Sequence, residues 1–102
     1  MTDEFFQQEV LASAIPVVVD FWSPVCPPCQ VMSGLLSEIG PDYAGRVNIF
    51  KLRVDQNPMA AAHFQIRSVP TLIFFRGGKI VGRVVGLLPL HPLQAKIDEL
   101  IK

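Results

Sequence analysis

The most constraining feature of the sequence is an apolar run at residues 15–22 that leads into two closely spaced cysteines. The run consists mainly of β-branched and aromatic residues, with one carboxylate, Asp20, inside it. This composition is typical of a strand that is covered on both faces. Residues 29–43 then carry apolar side chains at helical spacing. The order predicts a central strand followed directly by a long helix, with the cysteines at their junction.

The remaining segments alternate between helical and strand patterns. We predict helices over residues 3–14, over residues 58–64 with Asn57 as N-cap, and at the C-terminus, and strands over residues 47–54, 71–75 and 79–85. The connection Arg76-Gly77-Gly78 suits an antiparallel hairpin. The pattern therefore predicts an α/β fold in which four helices flank a mixed sheet with one parallel pair and one antiparallel hairpin.

The composition bounds the size and the partners of the protein. Its 102 residues, half of them apolar, fit a single domain over residues 1–102. Nine basic and nine acidic residues give no net charge, so we expect no nucleic-acid partner. The longest apolar runs are strand-length, which predicts no membrane span. The opening Thr2-Asp3-Glu4 is acidic, unlike a secretory signal, and we expect a cytoplasmic protein.

The two cysteines, Cys26 and Cys29, are separated by about one helical turn, which allows their sulfur atoms to form a bridge. Free backbone amides and the helix dipole favour a thiolate at a helix N-terminus. Cys26 comes first, so we expect it to face solvent and act as the nucleophile. Cys29 belongs to the helix, so we expect it to point inward and resolve a mixed disulfide.

Other interpretations of the cysteine pair remain open at this point. A zinc site needs two further ligands, and His63 and His91 lie at spacings that match no common zinc finger, so we predict no metal. A purely structural bridge would close a very small loop and stabilise the fold little. Two inert core cysteines would not need the neighbouring prolines. Thiol–disulfide exchange is the interpretation that the junction favours.

Four motifs together resemble the thioredoxin family, in the order of that family. They are Val19-Asp20-Phe21-Trp22, Cys26-Pro27-Pro28-Cys29, Asp55-Gln56-Asn57-Pro58 and Val69-Pro70-Thr71. The resemblance implies a thioredoxin fold and a protein-disulfide reductase that needs no cofactor beyond its redox-active cysteine pair. The leading strand typical of the family has no counterpart here, so we expect four strands.

The resemblance also implies roles for individual residues. Asp20 is similar to the family's buried carboxylate, which has a raised pKa and exchanges a proton with the resolving cysteine, and Lys51 to the lysine near it. Pro70 resembles the family's cis-proline. The implied substrate-binding residues are Trp22, Val25, Pro27, Pro28, Val69, Pro70 and Gly86. The implied partners are oxidised proteins and a thioredoxin reductase or a dedicated equivalent.

Two residues depart from the family's usual Trp-Cys-Gly-Pro-Cys motif. Val25 stands in place of the tryptophan, which removes apolar area from the docking surface. Pro27 stands in place of the glycine, which removes a backbone donor near the thiolate. Two alternatives therefore stay open: a more oxidising disulfide oxidase or isomerase, and a binding module whose cysteines regulate it or take no part.

Overall fold

The computed structural model describes residues 6–102, and this part of the chain is built on a four-stranded sheet of order β2-β1-β3-β4. The strands are β1 (Val17–Trp22), β2 (Asn48–Arg53), β3 (Thr71–Arg76) and β4 (Lys79–Val85). β1 pairs in parallel with β2 and antiparallel with β3, and β3 and β4 form an antiparallel hairpin. The predicted mixed sheet, with its parallel pair and its hairpin, is confirmed.

Helices cover both faces of the sheet. They are α1 (Gln7–Leu11), which has π-helical geometry, α2 (Pro27–Ile39), α3 (Pro58–His63) and α4 (Leu90–Ile101). A 3-10 turn at Gly40–Tyr43 continues α2. The order of elements is the predicted one, and the differences lie at their ends.

The alternation of side chains along β1 explains its unbroken apolar run. Val18 packs in a cluster with residues of α2 and α4, among them Met32 and Leu93. Val17 and Val19 point to the opposite face and pack in a second cluster with residues of α1 and α3. Because both faces of the strand are covered, the side chains that point to either face must be apolar. Asp20 is the one exception within the strand.

The first helix is shorter than predicted. Residues 3–5 lie outside the described residues, and α1 ends at Leu11 rather than at residue 14. The Ser13 hydroxyl donates to the carbonyl of Ile15 at 2.7 Å and accepts the Ile15 amide at 3.3 Å. Such local bonds between side chain and backbone compete with helix formation, which explains the early end.

The long helix begins two residues earlier than predicted, at Pro27 rather than Cys29. Proline at the first helical position already has the φ of a helix and lacks an amide that would have no partner there. At α3, Asn57 occupies the predicted N-cap position, but its side chain does not cap the helix. Its amide nitrogen donates instead to the carbonyl of Arg53 at 2.9 Å.

The β3–β4 turn allows a matched test of packing against α1. Gly77 and Gly78 both have positive φ, +59° and +77°. A Cβ on Gly77 would meet open space, whereas one on Gly78 would lie 2.6 Å from the carbonyl oxygen of Leu11. We expect Gly77→Ala to lower the free energy of unfolding by about 1–2 kcal/mol through backbone strain alone. Gly78→Ala should cost clearly more, and equal losses in urea unfolding would contradict the contact with α1.

Candidate functional site

The junction between β1 and α2 positions the two cysteines. Cys26 has extended backbone angles (φ −127°, ψ 100°) and occupies the N-cap of α2, while Cys29 lies in the first turn. They form a disulfide, with their Cα atoms 5.2 Å apart. Cys26 is half-buried, whereas the side chain of Cys29 is buried. Cys26 therefore keeps part of its surface exposed, whereas Cys29 is enclosed.

The sulfur of Cys26 receives one backbone hydrogen bond from α2. The amide of Cys29 donates to this sulfur at 3.2 Å and also to the carbonyl of Cys26 at 3.0 Å. The amide of Gln30 is directed at the same carbonyl, at 3.3 Å. Pro27 and Pro28 have no amide hydrogen to offer. In the disulfide form, the sulfur of Cys26 thus accepts the amide of Cys29, and the two residues between offer it no donor.

A second segment, around Pro70, lies against the pair. The Val69–Pro70 peptide bond is cis, as the resemblance implies. The carbonyl oxygen of Val69 lies 3.6 Å from the sulfur of Cys26. The amide of Gly86, which has a φ of +94°, donates to the carbonyl of Pro70 at 2.8 Å. The residue that directly follows β4 therefore holds the Pro70 segment in place beside the disulfide.

Exposed apolar residues surround the cysteines. Val25 is 88% exposed, and both Pro27 and Pro28 are exposed. Trp22, at the end of β1, is half-buried. The guanidinium of Arg53 lies 6.0 Å from the centroid of the Trp22 ring. Of the predicted substrate-binding residues, Val25, Pro27 and Pro28 are thus exposed, whereas Trp22 is partly covered and Pro70 is buried.

Asp20 is a buried carboxyl group within β1. Its side chain has no exposed area, and neither carboxyl oxygen has a hydrogen-bond partner. Burial raises its pKa from 3.8 to about 6, while the positive charge of Lys51 acts in the opposite direction. The raised pKa places the proton equilibrium of Asp20 close to neutral pH, as expected of a group that exchanges protons.

Lys51 lies directly opposite Asp20 in the β1–β2 register. It does not donate to the carboxyl: its ammonium donates to the hydroxyls of Ser33 at 2.6 Å and Ser37 at 3.1 Å, both on α2. The carbonyl of Ser33 is a weaker acceptor at 3.4 Å. Lys51 therefore acts on Asp20 through its charge, without a direct hydrogen bond.

Sequence reasoning missed two sets of residues at the site. One is the pair Ser33 and Ser37, whose signal was their spacing of four residues on the helix that follows the cysteines. The other is Arg53 with Asp55, which form a two-pronged ion pair at 2.7 and 2.9 Å next to Trp22. This pair lowers the pKa of Asp55 through the hydrogen bond from Arg53.

Residues 6–102 offer neither a metal-binding cluster nor a membrane-spanning helix. This part of the chain brings together no group of three or more His, Cys, Asp or Glu residues that could hold a metal ion. None of its helices is both long and apolar enough to cross a bilayer.

Comparison with known proteins agrees with the motifs. A family model described as Thioredoxin matches residues 1–99. The chain is 42% identical to Thioredoxin 1 of Nostoc sp. over 99 residues, covering 97% of this chain and 92% of that relative. It is 44% identical to a Thioredoxin of Chlorobaculum thiosulfatiphilum over 98 residues, covering 96% and 91%. It is also 36% identical over 101 residues to Thioredoxin M-type, chloroplastic, of Pisum sativum, covering 99% of this chain and 59% of that relative.

The buried carboxyl of Asp20 predicts a specific pH dependence of stability. An unfolded chain loses this proton near pH 3.8 and the native protein near pH 6, so the native state holds more protons in between. Stability should therefore fall as pH rises through this window, by about 3 kcal/mol from this group. Asp20→Asn should lack this component in urea unfolding of the oxidised protein. Parallel stability curves for the two proteins between pH 4 and pH 7 would contradict the assignment.

Proposed function

The chain belongs to the thioredoxin family and is a thiol–disulfide oxidoreductase, and we propose that it reduces protein disulfides with Cys26 as nucleophile and Cys29 as resolving cysteine. The observation that carries this division of roles is the unequal burial of the two cysteines at the start of α2. A half-buried sulfur can reach a bulky substrate. An enclosed one can react only with a group already bound to its neighbour.

The first step is attack by Cys26 on a substrate disulfide. In the reduced protein the Cys26 thiolate forms a bond to one substrate sulfur, and the other leaves as a thiolate. The Cys29 amide, which lies 3.2 Å from the Cys26 sulfur, is the group that stabilises the negative charge before attack. The product of this step is a mixed disulfide between Cys26 and the substrate.

The second step releases the substrate. Cys29 gives its proton to the Asp20 carboxylate and attacks the sulfur of Cys26, and the substrate leaves as its second thiolate. Two electrons pass from the dithiol to the substrate, and the Cys26–Cys29 disulfide remains. Asp20 suits this role because burial raises its pKa to about 6, so that it is ionised at neutral pH yet binds a proton readily.

Substrate binding is assigned to the surface around the cysteines. We propose that an extended segment of the oxidised protein lies along Val69 and Pro70, with side chains against the exposed Val25 and Pro27. The predicted contacts of Trp22, Pro28 and Gly86 belong to the same surface. Val25 offers less apolar area than an aromatic residue would, so the choice of partners should differ from that of relatives with tryptophan at this position.

The family implies a reductase that returns electrons to the oxidised pair. We propose that this partner is a thioredoxin reductase or a dedicated equivalent that docks on the same surface. We also propose that the chain acts as one domain, because the described helices pack on a single sheet. A cytoplasmic location stays a prediction.

Serine variants of the two cysteines test the assigned order of attack. Cys26→Ser should abolish reduction of insulin disulfides, because the attacking sulfur is lost. Cys29→Ser should instead accumulate a mixed disulfide through Cys26, which non-reducing electrophoresis and mass spectrometry detect. A mixed disulfide trapped through Cys29 in Cys26→Ser would reverse the two roles, and full activity of Cys26→Ser would show that Cys26 is not the nucleophile. If the parent protein itself did not reduce insulin, only the binding module would remain.

The potential of the cysteine pair tests the direction of exchange. Titration against glutathione and dithiol buffers should give a value near roughly −270 mV, typical of thioredoxin, whereas about −180 to −120 mV would indicate an isomerase or oxidant. Pro27→Ala adds one amide donor at the start of α2, which should stabilise the thiolate and raise the potential. A tenfold change in the equilibrium constant corresponds to about 30 mV. A lower potential in Pro27→Ala would contradict this account of the turn.

A further inference from the structure

The ammonium group of Lys51 is fixed by α2, although Lys51 belongs to β2. It donates to the hydroxyl of Ser33 at 2.6 Å and of Ser37 at 3.1 Å, with the carbonyl of Ser33 at 3.4 Å. The two serines are four residues apart and therefore lie on the same face of the helix. An ammonium has three hydrogens to donate, and three oxygen atoms of α2 surround this one. Its position is thus determined by the helix that also carries the cysteines.

The nearby carboxyl of Asp20, unlike the Lys51 ammonium, has no hydrogen-bond partner. Asp20 has no exposed area, and both of its oxygen atoms lack a hydrogen-bond partner. Lys51 is its partner in the β1–β2 register, and Leu72, which brings no charge, is its partner on β3. α2 packs on this side of the sheet, where Met32 and Leu36 join the cluster of Val18, and it contributes the two serine hydroxyls. The proton equilibrium of Asp20 therefore depends on where the Lys51 charge is held.

We propose that Ser33 and Ser37 are positioning residues for the dithiol reaction, holding the Lys51 ammonium at a fixed place beside Asp20 while that carboxylate takes the proton of Cys29. The proposal rests on the proposed role of Asp20 in the second step. Neither serine touches the substrate or the reacting sulfurs. Each acts through Lys51.

Removal of both hydroxyls should release the ammonium toward solvent. β2 is an edge strand and Ser37 is exposed, so water is available at this end of the lysine side chain. A charge that moves away from Asp20 opposes the effect of burial less strongly, since the interaction falls with distance. The pKa of Asp20 should then rise above its value of about 6. Fewer molecules would carry the ionised carboxylate at mildly acidic pH.

The test compares Ser33→Ala/Ser37→Ala with the parent protein by two measurements. Carboxyl NMR of the oxidised protein should show a higher pKa for Asp20. The rate of substrate release from the mixed disulfide should be about twofold lower near pH 6 and unchanged near pH 9, where the carboxyl is ionised in both proteins. Ser33→Thr/Ser37→Ala, which keeps the hydroxyl at position 33, should show the smaller effect of Ser37→Ala alone and not that of the double alanine variant.

Gly34→Ala is the matched control on α2. A Cβ at this position meets open space, so the substitution changes the helix without touching Lys51, and both measurements should match those of the parent. Ser37→Ala alone, at an exposed position, provides the same test with a smaller effect if the double variant is too unstable.

Three results would overturn the proposal. The first is an unchanged pKa of Asp20 in the double variant, and the second is a lower pKa, which would show that the ammonium turns toward the carboxyl. The third is an equal loss of rate at all pH values, which would indicate a merely structural role. A separate variant tests the proposed role of Asp20 as proton acceptor, on which the proposal rests. If Asp20→Asn releases substrate at the parent rate across the whole pH range, Asp20 is not the proton acceptor, whatever the serine variants do.

Discussion

The fold depends on the enclosure of β1, which is covered on both faces and paired with another strand at each edge. The strand pairs with β2 in parallel and with β3 antiparallel, while helices cover its two faces. A segment enclosed in this way has its direction and register fixed by every neighbour. The end of β1 therefore determines where α2 begins, and with it the place of the cysteine pair. A carboxylate inside the same strand is kept away from water by the same enclosure.

The elements and their order could be predicted from the sequence because apolar periodicity is strong in a chain with half of its residues apolar. The ends of elements were less predictable. The helix over residues 3–14 ends early because of two hydrogen bonds of Ser13, and Asn57 bonds backward to Arg53 instead of capping α3. Both choices depend on the orientation of one polar side chain, which periodicity does not describe.

The reactive cysteines were predictable from spacing, and Asp20 and Pro70 from the resemblance. The partners of Lys51 were not, because a lysine on a strand can extend toward solvent, a carboxylate or a neighbouring helix with similar local sequence. Ser33 and Ser37 can be identified as partners only from the tertiary structure, in which Lys51 of β2 reaches α2. The charge that acts on Asp20 is thus set by packing between elements, whereas the burial that raises its pKa follows from the strand itself.

Because Cys26 is the N-cap of α2, its sulfur atom has both a chemical and a structural role. Its sulfur, the proposed nucleophile, also accepts the amide of Cys29 and so closes the first turn of α2. The helix start is built around the reactive group, and loss of the sulfur would leave that amide without this acceptor. A residue able to replace Cys26 without fraying the helix must itself be a capping residue, such as serine, threonine, aspartate or asparagine. Tolerance to change at this position is therefore limited by folding as well as by redox chemistry.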